Sequence, residues 1–159
     1  SARIVSEMLS RQTGFAAVCG VQPREEHPNG GHVMFAGEMP AFAATQVARR
    51  SRILGLHLND GWGKRDDGLM VAAVNLRATL ELIMTLRREH FAGAYYFDTF
   101  PDASGMDPVA ECEVNIKTVR RLVELADELN ADPELKAALE NQDSPRSQAL
   151  VNRVLLGVR

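Results

Sequence analysis

The chain has 159 residues, a net charge of −3 and an apolar fraction of 45 %. This length and composition fit one domain with an ordinary buried core, and a slightly acidic chain is a poor match for the phosphate backbone, which excludes nucleic acid as the main partner. No apolar run approaches the roughly 20 residues of a membrane-spanning helix and no signal peptide opens the chain, so we expect a cytoplasmic protein without a membrane partner.

Three apolar segments of strand length recur along the chain, at residues 16–21, 53–58 and 94–97. Continuous apolar runs of this kind are typical of strands buried on both faces of a parallel sheet. Helical patterns separate them: Pro40 opens a helix over residues 41–50, and an apolar stripe predicts a second helix over residues 74–89. The members of this stripe are Leu76, Leu80, Ile83 and Arg87. The alternation predicts right-handed βαβ units.

Three further helices follow the third strand. The longest helix is predicted to start at Asp107, a cap residue before Pro108. A cap residue before proline at residues 132–133 and again at 144–145 predicts the starts of two shorter helices. The last of these helices is expected to end near residue 156. We expect this last helix to pack on another element or another subunit. The stripe of the longest helix comprises Cys112, Ile116, Val119, Val123 and Ala126. Cys112 and the distant Cys19 are predicted to be reduced core residues.

Two of the strand-like segments end in side chains that suit hard metal ions. His57 closes one strand and is followed by Asp66 and Asp67, whereas Asp98 follows the three aromatic residues of another. Strands that deliver imidazoles and carboxylates at their carboxyl ends are typical of the catalytic face of a (β/α) barrel. Oxygen ligands with imidazole, and no thiolate nearby, favour Mg²⁺ or Mn²⁺ over zinc.

Each candidate has a structural alternative. Asp98 is a metal ligand, a helix cap or the partner of a lysine, and His57 is a ligand or a hydrogen-bonded core histidine. His32 is a ligand, a substrate contact or a loop residue. Asp66 and Asp67 are ligands or members of a solvated charged loop.

The loop after the second strand carries two further candidates. Asp60 is expected to cap the turn at Gly61. Trp62, the single tryptophan, either stacks on a sugar or packs as part of a lid.

Three βα units are too few for a closed barrel, which needs about eight strands. A short open sheet would also leave unpaired edges. We therefore expect the chain to be the C-terminal portion of a larger protein, or else to complete its sheet with a partner such as a second copy of itself.

Four stretches resemble the xylose isomerase-like TIM barrel family. Residues 28–37 are similar to the family's Pro-Glu-x-Gly-His-x-x-x-Ala-Gly loop, and residues 56–59 to the end of its seventh strand. Residues 64–67 resemble the loop that supplies an Asp-x-Asp pair, and residues 96–98 the aromatic-Phe-Asp end of the eighth strand. An Ala-Asp-Pro-Glu segment at residues 131–134 extends the likeness.

This resemblance implies a fold and a domain organisation. Residues 1–130 would be the C-terminal half of a (β/α)8 barrel with about three βα units, and residues 131–159 a C-terminal helical extension.

The resemblance also implies a two-metal aldose–ketose isomerase that uses Mg²⁺ or Mn²⁺ to move a hydride between C1 and C2 of a sugar. Asn59 and Trp62 would contact the sugar. Asn29 stands where the family has an acidic ligand, so Glu25 or Glu26 would take that role. The metal ligands would then be His32, His57, Asp66, Asp67, Asp98 and Glu25.

Two further functions stay open. A one-metal sugar epimerase of the same superfamily would use paired glutamates for proton transfer. A degenerate half-barrel would act as a binding or oligomerisation module without catalysis. The resemblance also implies that the first half of the barrel supplies further metal ligands, so the chain alone is expected to be inactive or nearly so.

Overall fold

The computed structural model describes residues 17–19, 33, 38–50, 53, 55–64, 67–100, 105 and 107–158. Within these residues strands and helices alternate up to the third strand, and helices alone follow. The elements are β1 (Ala17–Cys19), α1 (Pro40–Ala48), β2 (Gly55–Leu58), α2 (Leu76–Arg88), β3 (Ala94–Phe97), α3 (Pro108–Ala131), α4 (Pro133–Glu140) and α5 (Ser144–Leu156). The predicted mixed α/β character is therefore confirmed.

The sheet has the strand order β1-β2-β3. β2 and β3 are parallel, with Leu56 opposite Tyr95 and Leu58 opposite Phe97, and α2 makes the connection between them. β1 pairs with β2 in the antiparallel direction, with Val18 opposite Leu56. The prediction of an all-parallel sheet is wrong for this strand. An apolar run identifies a strand but has the same pattern in both directions, so it does not fix the pairing.

One face of the β2–β3 pair is buried and the other is partly exposed. Leu56 and Leu58 are fully buried, whereas Gly55 and His57 between them are half-buried. The buried face packs with Tyr95 and Phe97 against α1 and α2. On the other face Tyr96 is 54 % exposed. The expected burial on both faces is therefore wrong, because among the described elements the helices cover the face of the leucines.

Helix α2 lies between two hydrophobic clusters. Leu82 and Leu86 belong to the sheet cluster, and Leu80, Ile83 and Met84 belong to a second cluster formed with the C-terminal helices. The predicted stripe was too narrow, because the buried surface of α2 also includes Leu82, Met84 and Leu86.

The ends of the predicted α2 stripe reach the surface. Leu76 is 41 % exposed and Arg87 is also exposed. The Arg87 guanidinium donates two hydrogen bonds to the Asp127 carboxylate, at 2.7 and 3.0 Å, and so joins α2 to α3. This contact raises the pKa of Arg87. Burial raises the pKa of the neighbouring Tyr95.

The buried stripe of α3 differs from the predicted one. Val119 and Ala126 are buried as expected, but Ile116 and Val123 are only half-buried and Cys112 is exposed. The prediction of Cys112 as a core residue is therefore wrong. The observed stripe takes polar residues at its N-terminal end, which an apolar pattern cannot detect. Its members are Glu111, Asn115, Val119, Leu122, Leu125, Ala126 and Leu129.

The C-terminal helices are capped by aspartates and pack on the rest of the chain. Asp107 accepts from the Val109 N–H at 2.9 Å, and Asp132 accepts from the Glu134 N–H at 2.8 Å. α5 begins one residue earlier than predicted, and its cap is Asp143 rather than Ser144. Buried residues of α4 and α5 join the second cluster with α2 and α3. No helix of the described part is long and apolar enough to cross a bilayer.

Helix α2 ends in a Schellman motif with a histidine at its left-handed position. The Phe91 N–H donates to the Leu86 carbonyl at 2.9 Å and the His90 N–H to the Arg87 carbonyl at 3.2 Å. His90 has φ = 55°. A side chain with a Cβ is disfavoured in this conformation, which glycine adopts freely.

Replacing His90 with glycine is expected to stabilise the protein by about 0.5–1 kcal/mol, because relief of the left-handed strain exceeds the added chain entropy. The free energy of unfolding in urea measures the effect. Gln142, which has φ = 55° at the end of α4, should respond in the same direction. A loss of stability in both variants would contradict the strain argument.

Within the part of the chain that the structure describes, two buried polar atoms on α3 have no hydrogen-bond partner. They are Oε2 of Glu111 and Nδ2 of Asn115. An unpaired buried carboxylate oxygen is costly, and its cost typically exceeds the small benefit of a negative charge near a helix N-terminus.

The variant Glu111→Met is therefore expected to be more stable by about 1 kcal/mol, since it removes a desolvated polar group and retains the side-chain volume. Glu113→Met, at an exposed position of the same helix, is the matched control and should change stability little. A lower melting temperature of Glu111→Met would contradict the prediction.

Candidate functional site

His57 and Asp98 lie next to each other at the carboxyl ends of the two parallel strands. His57 pairs with Tyr96 across the ladder, and the ladder continues with a 2.9 Å hydrogen bond from the Asp98 N–H to the Leu58 carbonyl. Nδ1 of His57 is 3.7 Å from Oδ2 of Asp98, and both side chains are about 40 % exposed. The proximity expected from strand order is therefore present, and both groups reach the solvent.

The imidazole of His57 is held by an aromatic neighbour on the same face of the sheet. The rings of His57 and Tyr96 have centroids 5.3 Å apart and are tilted by 45°. Tyr96 also lies over Gly55, where a Cβ atom would come within 3.1 Å of the ring. The absence of a side chain at Gly55 thus leaves the space that the tyrosine ring occupies beside the histidine.

Asp60 has a buried carboxylate that accepts hydrogen bonds from four donors. Its side chain is 1 % exposed. Oδ1 accepts from the Gly61 N–H and from Nδ2 of Asn75, both at 2.7 Å, and Oδ2 accepts from the N–H groups of Val74 and Asn75 at 2.7 and 2.8 Å. The predicted cap at Gly61 is confirmed. The carboxylate also serves the start of α2, which lies 15 residues away in sequence.

The described residues 61–64 and 67–68, which we call the Trp62 loop, lie between the end of β2 and the segment before α2. At its base Asp60 and Leu69 exchange two backbone hydrogen bonds of 2.9 Å. Within the loop Oδ2 of Asp67 accepts from the Trp62 N–H at 2.8 Å. The indole of Trp62 is 71 % exposed. Asp67 therefore shapes the turn that presents the tryptophan to the solvent.

The end of the Trp62 loop is fixed to the chain that follows β3. The Phe100 N–H donates to the Gly68 carbonyl at 3.0 Å. Gly68 has φ = 57°, and a Cβ there would overlap the phenyl ring of Phe100. Glycine is required at this position by both conformation and space.

The remaining predicted site residues have different positions. Glu25, His32 and Asp66 lie outside the described residues. Asn59 is 3 % exposed, so little of its surface is accessible to a sugar. Its place at the carboxyl end of β2 is as predicted.

The metal-binding prediction can be compared with the donor atoms present. His57 Nδ1 and Asp98 Oδ2, 3.7 Å apart, are donor atoms of the kinds that would hold a divalent ion. In the described ranges no group of three or more His, Cys, Asp or Glu side chains is placed to hold a metal ion. The pair can therefore contribute two ligands, and further ligands have to come from other residues.

Sequence reasoning missed the residues that organise this region. Asn75 donates to both Asp60 and the Gly61 carbonyl, and Asn115 accepts from the Val71 N–H at 2.9 Å. The Phe100–Gly68 contact was also missed. These partners are separated by 14 to 44 positions, so no spacing rule identifies them. Only the asparagine immediately before α2 was a local signal, because asparagine is a common helix cap.

No protein-family model matches the chain, and no curated protein matches it significantly.

The variant Gly68→Ala is expected to lose about 2–4 kcal/mol of stability, because the new methyl group overlaps Phe100 and the backbone is left-handed. Gly105→Ala is the matched control: its φ is 70° and no atom lies within 4 Å of the added Cβ. It should cost only the conformational part, about 1 kcal/mol. Equal losses in urea unfolding would show that the Phe100 contact is unimportant.

Proposed function

We propose that this chain is the C-terminal part of a xylose isomerase-like TIM barrel and that the assembled protein is a divalent-metal-dependent sugar isomerase. The observation that carries the proposal is the His57–Asp98 pair. An imidazole and a carboxylate lie 3.7 Å apart on neighbouring parallel strands, at the carboxyl edge where TIM barrels hold their active sites. The motif resemblance supplies the family.

The donor types fit Mg²⁺ or Mn²⁺. Asp98 would provide a carboxylate oxygen and His57 an imidazole nitrogen, and neither is buried away from the solvent. Glu25, His32 and Asp66 are proposed as further ligands from the resemblance. Asp67 is proposed in the same way, and its Oδ2 already accepts from the Trp62 N–H. When bound, the ions would polarise the sugar carbonyl and hold two adjacent sugar oxygens during aldose–ketose isomerisation.

The residues of this chain would also bind and shield the sugar. Trp62 and Phe100 are 71 % and 45 % exposed at the same end of the sheet as His57 and Asp98. Aromatic faces suit the apolar C–H surface of a sugar and exclude water from the reacting carbons. Tyr96 limits the orientations of the His57 ring.

The partner of this chain is proposed to be the remainder of the barrel, or a second copy in a homo-oligomer. The polar face of the β2–β3 pair, with His57 and the 54 % exposed Tyr96, is the face that would line the barrel interior. The helices α1 and α2 on the opposite face correspond to the outer layer of such a barrel.

One observation favours a second candidate function. β1 is antiparallel to β2, whereas the strands of a TIM barrel are all parallel. This departure favours a degenerate half-barrel that binds a partner without catalysis. The epimerase alternative requires paired glutamates, and the described part of the site contains none.

Isothermal titration with Mn²⁺ tests the isomerase proposal. Asp98→Ala and His57→Ala are each expected to weaken Mn²⁺ binding by about tenfold or more, because each removes a direct ligand. Asp127→Ala is the control, since Asp127 is an exposed carboxylate that pairs with Arg87 away from the strand ends.

Two results would contradict the proposal: a folded parent chain and full-length protein that both fail to bind Mn²⁺, or unchanged affinity in both ligand variants. With binding established, turnover of a panel of aldopentoses and aldohexoses by the full-length protein separates an isomerase from a non-catalytic half-barrel.

A further inference from the structure

We propose that Asp60 is a positioning residue that holds the Trp62 loop at the carboxyl ends of β2 and β3, and thereby places Trp62 for sugar binding. Its role toward a sugar rests on the proposed function. Its role in fixing the loop rests only on the contacts described for the chain, and the two parts can be tested separately.

The Asp60 carboxylate is buried and fully hydrogen-bonded. It is 1 % exposed and its oxygens accept four hydrogen bonds of 2.7–2.8 Å. Hydrogen bonds to a carboxylate are stronger than those between neutral groups, and a helix N-terminus favours negative charge. A side chain so fully bonded has no capacity left for a metal ion or a substrate. Its function is therefore exerted through the segments that it joins.

The Asp60 carboxylate joins the Trp62 loop to the residues that lead into α2. Gly61 is the first residue of the Trp62 loop, and Val74 and Asn75 lead directly into α2. Nδ2 of Asn75 donates to the Gly61 carbonyl as well, at 2.8 Å. The start of the loop is thus bonded to the start of a helix that is packed between two hydrophobic clusters. Movement of Gly61 would break these bonds together.

The turn before α2 is itself bonded to α3. The Val71 N–H donates to Oδ1 of Asn115 on α3, and the Ala73 N–H donates to the Met70 carbonyl at 3.1 Å. Ala72 between them has φ = 62°. The donors that surround Asp60 therefore belong to a turn that is anchored to a second helix. This makes the site of Asp60 a rigid one rather than a surface contact.

The Trp62 loop is joined at both ends to the segments that carry the candidate ligands. Asp60 lies three residues after His57, and Gly68 is bonded to Phe100, two residues after Asp98. Both ends of the Trp62 loop are consequently tied to the same strand ends that carry the His57–Asp98 pair. Between these ties the Trp62 N–H is bonded to Asp67. The 71 % exposed indole therefore belongs to a loop whose first residue is bonded to Asp60 at these strand ends.

The test uses the fact that Trp62 is the only tryptophan. In Asp60→Asn an amide nitrogen replaces one carboxylate oxygen, so two accepted hydrogen bonds are lost and donors face donors. Time-resolved fluorescence anisotropy of the full chain should then show at least a twofold larger amplitude of the fast decay of Trp62. The control Leu129→Ala destabilises the second cluster away from the loop, and should lower the melting temperature without this change.

If Asp60→Asn does not fold, Asn75→Ala provides the same test without placing a donor against other donors. It removes the two hydrogen bonds that Nδ2 of Asn75 donates to Asp60 and Gly61. A larger fast amplitude in either variant, and not in Leu129→Ala, supports the positioning role. An anisotropy decay equal to that of the parent in the folded Asp60 or Asn75 variant overturns it and leaves Asp60 as a helix cap alone.

Titrations of the full-length protein separate this inference from the proposed function. The positioning role predicts that Asp60→Asn weakens binding of an aldopentose at saturating Mn²⁺ about fivefold or more, while the affinity for Mn²⁺ alone changes less than twofold. A parent that binds no Mn²⁺ contradicts the proposed function and leaves the anisotropy result standing. Unchanged sugar affinity together with a mobile Trp62 overturns the role of the loop in sugar binding.

Discussion

The bonded carboxylate of Asp60 is the interaction on which the arrangement of the candidate site depends. It lies where three parts of the chain meet: the end of β2, the base of the Trp62 loop and the start of α2. A charge at 1 % exposure is tolerated only because four N–H donors and a helix N-terminus surround it. The position of each of the three parts is therefore constrained by the other two, and β3 is connected to them through Phe100 and Gly68.

The sequence predicted the positions of the strands and helices well, but it predicted strand direction and helix burial less well. All three strands and the helices at residues 40, 108, 133 and 144 occur near the expected positions, because proline, aspartate and apolar periodicity act locally. The direction of β1 was wrong, since pairing direction depends on contacts between distant segments. The predicted buried stripe of α3 was wrong at the start of the helix, because Glu111 and Asn115 are buried polar residues. The sequence pattern had included only apolar residues.

The candidate site was predictable to the same extent. His57 and Asp98 were identified because each lies at the end of a strand, and parallel neighbours bring their carboxyl ends together. The Trp62 loop was recognised from its composition, but the hydrogen bonds that shape it were not predicted. The role of Asp60 at α2 and that of Asn115 at Val71 depend on contacts across 15 and 44 positions. Such contacts follow from the packing of α2 and α3, which has to be known before the partners can be named.

The two hydrophobic clusters lie away from the face of the sheet that carries His57 and Tyr96. The second cluster consists of residues of α2, α3, α4 and α5 and contains no residue of the sheet. Among the described residues the sheet joins the core through its leucine face, and His57 and Tyr96 lie on the other face, which contributes little to that core. Substitutions on that face therefore remove little buried apolar area, so their effects on binding can be separated from effects on folding. Asp60 is the exception, because its carboxylate is bonded both to the loop and to the start of α2.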